Sequence, residues 1–516
     1  MKLKIIAAVT SMTLLLLLIL IGVKLGLPSS QEPTAAITST PSPSTPVVEP
    51  DTVREPAVAG AFYPEDVEEL TTMVDAFLEA VEDMDGEPIA LIAPHAGYVY
   101  SGWVAAYAFK QLEGVTYDTI VIIGPNHHHA TFTDISVYAE GAFQTPLGYT
   151  PIDEETAQAL IEAHERIVFD PKVHRPEHSI EVELPFLQRI YQELEIVPII
   201  IGQPTEENIE VLTEALVQVV GDKKALIIAS SDMSHYPSYE DAIQVDNATL
   251  AAIETLDSQI VWATIMDNMT RGVPNLGTCL CGQGPVLTAM KVASRLGANQ
   301  VTALQYANSG DSPFVSVDKS RVVGYGAVMF WHYEPPDLSE GEKARLLTIA
   351  RESIAQYLEQ GTLPQFTVSE PNLLRKSGAF VTLEQTGELR GCIGHILAQQ
   401  PLCTTVQQAA VSAATEDRRF PALSAEELEA ITIEISVLSP LKRVTDIEEI
   451  EVGKHGLVLV AEGKSGLLLP QVASEEDWSR QEFLQAVCRK AGLPEDAWQQ
   501  GAALYTFTAI VFREEE

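Results

Sequence analysis

Thr119-Ile-Val-Ile-Ile123 leads directly into Gly124-Pro125-Asn126-His127-His128-His129. A short run of β-branched apolar residues bounded by turn residues is the pattern of a strand buried on both faces. The polar, histidine-bearing stretch after it reads as the loop that leaves such a strand. The arrangement recurs along the chain. Ile89-Ala-Leu-Ile-Ala93 ends in Pro94-His95-Ala96-Gly97-Tyr98, and Ala225-Leu-Ile-Ile-Ala229 ends in Ser230-Ser231-Asp232-Met233-Ser234-His235. Ile196-Val-Pro-Ile-Ile-Ile201 is a further apolar run, and amphipathic stretches such as Glu154 to Glu165 and Glu206 to Val220 lie between the runs. That alternation predicts an α/β unit, a mostly parallel sheet with helices on both faces.

In such sheets the carboxyl ends of the strands open onto the ligand crevice. Of the eleven histidines in the chain, five sit in the loops after these runs, so loops far apart in sequence should converge in space. A sixth, His178, lies in Glu177-His178-Ser179-Ile180-Glu181-Val-Glu183-Leu-Pro185, which reads as a helix with positions 178 and 181 on one face. One histidine alone is more often a structural residue than a ligand. The repeated strand-then-histidine pattern is what points to a site. Thr278-Cys279-Leu280-Cys281-Gly282 adds thiols, and imidazole with thiolate suits zinc, copper or iron rather than calcium or magnesium. The other readings of this Cys-x-Cys are buried small hydrophobes or an intermolecular disulfide. A bond between the two is disfavoured, since residues i and i+2 of a strand lie about 6–7 Å apart.

The chain has 516 residues, enough for two or three folded units. Its 72 Asp+Glu against 32 Lys+Arg give a net charge of −40, which excludes the basic surface that binding nucleic acid requires. Five cysteines in so long a chain exclude a disulfide scaffold. Lys2 and Lys4 precede an uncharged run from Ile5 to Val23, about 28 Å long as a helix and so close to the thickness of a bilayer core. Residues 1–27 therefore read as a signal anchor, or else a cleaved signal peptide that would leave a secreted protein. The lysine balance places the bulk of the chain outside the cytoplasm. Residues 28–50, rich in Pro, Ser and Thr, read as an extended linker. A break at Glu334-Pro335-Pro336-Asp337 divides the remainder into units 51–334 and 335–516.

The first unit resembles the Memo family. The resemblance is carried by Ala59-Gly60-Ala61-Phe62-Tyr63-Pro64, Pro94-His95-Ala96-Gly97-Tyr98-Val99-Tyr100-Ser101-Gly102, Gly124-Pro125-Asn126-His127-His128, Glu177-His178-Ser179-Ile180-Glu181, Ser230-Ser231-Asp232-Met233-Ser234-His235 and Cys281-Gly282. It implies a fold similar to class III non-haem-iron extradiol dioxygenases. It also implies metal ligation by His95, His127 and Cys281, with Asp232 beside the metal and His178 and His235 lining the pocket. A thiolate where the dioxygenases carry a carboxylate favours softer metals and can itself be oxidised, so fold analogy does not imply ring cleavage. The second unit resembles an AMMECR-type domain over about 340–512. It carries Leu389-Arg390-Gly391-Cys392-Ile393-Gly394-His395 and Asp417-Arg418-Arg419-Phe420. The cysteine turn could bind a ligand or be a bent strand with a packed thiol, and Asp417 to Phe420 could bind an anion or form an internal ion pair.

The two resemblances together match proteins grouped as AmmeMemoRadiSam, which implies a radical-SAM partner. The expected function is that of a metal-dependent oxidoreductase acting on a small molecule or an exposed protein group. Its metal would be iron or copper, with zinc as a further choice, Asp232, His235 and His178 serving catalysis. The alternative is a non-enzymatic metal-binding or scaffold protein.

Overall fold

In the computed structural model, the residues described are 52–514 apart from 85, 397–399, 445 and 462–463. The expected anchor (1–27) and linker (28–50) lie outside them. Among the described residues, no helix is long and apolar enough to cross a membrane.

The four apolar runs form the strands Pro88–Ala93, Thr119–Pro125, Ile196–Ile201 and Ala225–Ser230. They are parallel and adjacent, in the spatial order 88–93, 225–230, 119–125, 196–201. Ile227 stands between Ala90 on one side and Val121 on the other. All residues of the last three strands are buried. Side chains alternate across a sheet, so both faces must be covered. Helices Tyr98–Lys110 and Gln283–Arg295 pack against these central strands. The margins depart from the parallel expectation. Gly324–Trp331 and Gln300–Asn308 extend one side antiparallel, and Ile135–Val137 is antiparallel on the other, followed by Ile167–Val168. Strands 300–308 and 324–331 follow one another in the chain and need no crossover helix, which permits the antiparallel arrangement. The sheet is thus mixed, eight-stranded, and parallel at its centre.

Residues 177–185 do not form the expected helix from their start. The carboxylate of Glu177 accepts the N–H groups of His178 and Ser179, both at 3.0 Å, and turns the chain. A single 3₁₀ turn, Glu181–Glu183, then enters the helix Leu184–Ile190. His178 and Glu181 consequently face different surroundings. Glu181 is fully buried and accepts the Tyr63 hydroxyl at 2.6 Å, the N–H groups of Ala57 and Val58, and the Arg54 guanidinium.

Beyond Trp331 the architecture changes to antiparallel α+β. Glu340–Gln360 forms a long helix, opened by a reciprocal Ser339–Glu342 cap and closed by Gly361 at φ +71. This helix and Leu402–Thr415 pack on a sheet ordered Glu388–His395, Ala379–Gln385, Ile431–Leu438, Ala509–Arg513. A second four-stranded sheet, with Gly456–Ala461 and Ala503–Phe507 at its centre, carries the helix Arg480–Lys490. The main apolar core of 63–331 shares no residue with the cores formed after 337.

Candidate metal centre

The strands 88–93, 225–230 and 119–125 are neighbours, so their carboxyl-terminal loops bring His95, Ser230 to His235, and His127 to one place. Cys281 reaches it from the turn before helix Gln283–Arg295. Its N–H donates to the Asp232 carbonyl at 3.2 Å, and the Gly282 N–H donates to Ser231 Oγ at 2.9 Å. A Cβ on Gly282 would lie 2.5 Å from the Ser230 carbonyl oxygen and 2.6 Å from Ser231 Cβ. Only glycine allows this approach, and through it Cys281 arrives beside His95.

The rings of His95, His127 and His178 form a triangle with centroid separations of 5.1, 5.5 and 4.8 Å. One ligand atom from each lies within 4.8 Å of the others, and the same holds for His95, Asp232 and Cys281. His95 belongs to both groups. Its Nε2 stands 3.2 Å from Cys281 Sγ, where nitrogen and sulfur sharing a tetrahedral ion would stand about 3.6 Å apart. The donor set fits a transition metal.

The remaining hydrogen bonds fix how the donors point. Ser230 Oγ has one hydrogen, directed to the Ser179 carbonyl (2.6 Å) or Glu183 Oε1 (2.7 Å). His95 Nδ1, 2.8 Å from the same oxygen, therefore donates to it, and the Nε2 lone pair faces Cys281 Sγ. Glu177 does the equivalent for His127, accepting from Nδ1 at 2.8 Å and from the backbone N–H at 2.8 Å. Both imidazoles are thus oriented by a buried acceptor, the arrangement that fixes metal-binding histidines.

Burial dominates the electrostatics. It holds the His95 imidazole well below its ordinary pKa, with His127 and His178 adding to the effect, and it raises the Cys281 thiol, with Asp232 adding. A bare thiolate–imidazolium pair is therefore disfavoured, whereas a bound cation would stabilise thiolate and neutral imidazole together. Burial pushes Asp232 up to about 7, and His178 and His235 down to about 4. For His127 burial acts downward, but the hydrogen bond and charge of Glu177 prevail and raise it.

The six expected site residues lie in one connected cluster, but His127 and Cys281 share no group within 4.8 Å: His95 joins His127 and His178 on one side and Asp232 and Cys281 on the other. Asp232 accepts the His95 N–H at 2.9 Å and lies 3.9 Å from His235 Nε2, an atom with no hydrogen-bond partner. His128 is exposed, its ring 6.0 Å from that of His178. Cys279 is fully buried in the apolar core. Sequence reasoning gave no role to Glu177, Ser230 or Glu183. Glu177 could have been suspected from its position directly before His178. Glu183, fully buried with its carboxyl pushed well up by desolvation, has no local signature beyond an acid set among apolar residues.

The family model described as Memo-like protein matches residues 54–329, which contain every one of these side chains. The chain belongs to the Memo family. A MEMO1 family protein of Methanobrevibacter smithii is 38% identical over 293 residues, covering 54% of this chain and 99% of the relative. One from Methanopyrus kandleri is 38% identical over 291 residues, covering 54% and 98%. The AMMECR1 family model matches residues 347–512, so the Memo-like region is followed by an AMMECR1 region. Among solved structures, the uncharacterized protein PH0010 from Pyrococcus horikoshii matches at 38% identity, with a TM-score of 0.33, over 33% of this chain and 90% of that one.

In the AMMECR1 region, Cys392 lies in the strand Glu388–His395, so the motif is a bent strand at a sheet edge. Its thiol accepts from Thr382 Oγ1 at 3.3 Å, and its N–H donates to Asp417 at 2.9 Å. Asp417 also holds Arg419 through two bonds of 2.9 and 2.6 Å. Of the two readings of Asp417 to Phe420, the internal ion pair is the one observed.

Proposed function

We propose that the Memo-like region is a metal-dependent oxidoreductase in which His95, His127 and Cys281 hold a redox-active transition ion, iron or copper. The observation that carries this is the pairing of each imidazole with a buried acceptor. His95 leans on Ser230 and His127 on Glu177, which turns His95 Nε2 to the Cys281 thiol and groups it on its other side with His127 and His178. The ion, when bound, would supply Lewis acidity and one-electron chemistry. Asp232, poised near neutrality by burial, positions the His95 backbone and can hold a proton beside Cys281. His235 and His178 are kept neutral by burial, and His235 Nε2 is available to accept a proton from a substrate.

Elemental analysis of the anaerobically purified full chain, with oxygen uptake on candidate small molecules, tests the reading. Stoichiometric metal without turnover would favour a binding or scaffold role. Full occupancy in Cys281→Ala would overturn the ligand set and leave His95, His127 and His178 as the holders. The same proposal includes a radical-SAM partner and anchorage by residues 1–27 with the folded regions outside the cytoplasm. Retention in the membrane after a carbonate wash tests the anchor, and a soluble form lacking the first two dozen residues would mean cleavage and secretion.

A further inference from the structure

Where the AMMECR1 region covers the edge strand Gln300–Asn308 of the large sheet, a cavity of about 470 Å³ remains. Its volume falls in the range of small-molecule sites, which favour the seams between folded regions. The charge of its wall contrasts with the rest of the chain. In a molecule of net charge −40, three cations, Arg375, Lys376 and Arg443, converge on this space.

Their partners differ. Lys376 is engaged with Asp83, at 3.2 Å on the exposed rim. Arg375 donates to the Glu334 carbonyl at 3.3 Å, and the Arg443 guanidinium lies 5.0 Å from the ring centre of Tyr505. Among the described residues, neither arginine has a carboxylate within 4.0 Å. The acid deepest in the wall is Glu254. It accepts the Tyr505 hydroxyl at 3.4 Å, and burial raises its pKa, which weakens its charge. Glu82 and Asp83 line the same space, and the remaining surface is largely apolar and aromatic, with Tyr107 and Tyr333, beside polar Gln111 and Thr302. The charge of Arg443 acts on Glu254 at longer range, but neither guanidinium has a carboxylate in direct contact, and such groups in a partly desolvated space attract and retain carboxylates.

We propose that this cavity binds a small aromatic carboxylate, its anionic group held by Arg443 and Arg375 and its ring set among the tyrosines. The site is separate from the histidine cluster and does not depend on the metal reading. Since its walls come from both regions, an occupant would hold the two together, stabilising the pair by mass action.

The test uses the full-length chain in lipid nanodiscs, with empty nanodiscs as the blank and 2-naphthoate as the probe. Trp331 lines the cavity, so binding should quench tryptophan emission, and the quenching should be lost in Trp331→Phe. Saturable binding is expected, with Arg443→Gln and Arg375→Gln each weakening it by about tenfold or more. The uncharged analogue 2-naphthamide should bind more weakly by a similar factor, a comparison that needs no substitution. His95→Ala should leave the affinity unchanged. The proposal is overturned if no saturation occurs up to about 1 mM, or if the amide binds as tightly as the acid. It also fails if both arginine variants match the parent, or if His95→Ala abolishes binding.

Discussion

Cys281 and Cys392 each sit beside a buried aspartate in a polar setting, and the two differ in what their neighbours leave over. Around Cys392 the groups satisfy one another. Thr382 meets the thiol, Asp417 meets the backbone N–H, and Arg419 closes on Asp417 while reaching the Cys392 carbonyl at 3.3 Å. Around Cys281 the orienting groups act one bond further out: the sulfur accepts the Asp232 N–H at 3.2 Å and faces His95 Nε2 at 3.2 Å, and no cation closes on it among the described residues. A motif rich in reactive residue types becomes a candidate site where its ligand atoms turn toward one another rather than being closed off by an ion pair.

The largest test of this contrast is metal content. Replacing His95, His127 or Cys281 by Ala should remove most bound metal while circular dichroism stays unchanged, whereas Cys392→Ala and Cys279→Ala should keep it. Equal loss from Cys392→Ala would erase the distinction. Next come the two orienting carboxylates. Glu177→Gln should weaken metal affinity by about 10–100-fold, as outer partners of ligands usually do, and should also lower the thermal midpoint, since both buried oxygens accept N–H groups.

Asp417→Ala should affect stability alone. It should cost about 1–3 kcal/mol by leaving the Cys392 N–H and the Arg419 guanidinium without their acceptor, and leave metal content alone. The Asp417 pKa lies below its ordinary 3.8, chiefly through the hydrogen bond from Arg419. Its contribution is therefore fully present above about pH 4 and is lost as pH falls below that, toward the folded-state value. Acid titration of Asp417→Ala beside the parent should show the two stabilities converging in that window. The smallest effect is expected at the seam between the regions. Lys376→Ala removes a rim ion pair with Asp83 and should shift stability by less than about 1 kcal/mol, less still in high salt. Because the apolar core of the first region shares no residue with those after 337, residues 338–516 expressed alone should unfold in one cooperative transition. An unfolded fragment would mean the two regions share a core.

The central strands were legible because continuous apolar runs of five or six residues admit few other placements, and the loops that follow them carried the histidines. The spatial order of those strands was not legible. It depends on which crossover passes over which face, and nothing local in residues 225–230 announces that they insert between 88–93 and 119–125. The antiparallel margin escaped for a similar reason, since the five apolar residues among the nine of Gln300–Asn308 never run more than two together. At the site, ligand types could be read because His and Cys are rare and clustered. Their supports could not, because Glu177, Ser230 and Glu183 are ordinary residues whose role exists only in three dimensions. The segment 177–183 misled because Glu177 and Glu181, four apart, and His178 and Glu181, three apart, mimic a helical face. Here each carboxylate instead binds backbone N–H groups, one from its own turn and the other from the chain at 57–58.

That second carboxylate ties the beginning of the described chain to the histidine segment. Arg54 is locked to Glu181, to the Glu177 carbonyl and, at 3.1 Å, to the His174 carbonyl, while Val53 and Arg54 pair with Ala142 and Phe143. A pull applied ahead of Thr52 would load residues 174–181 before any strand of the large sheet. Tension on the incoming chain would then be felt first as displacement of the turn that holds Glu177 and His178.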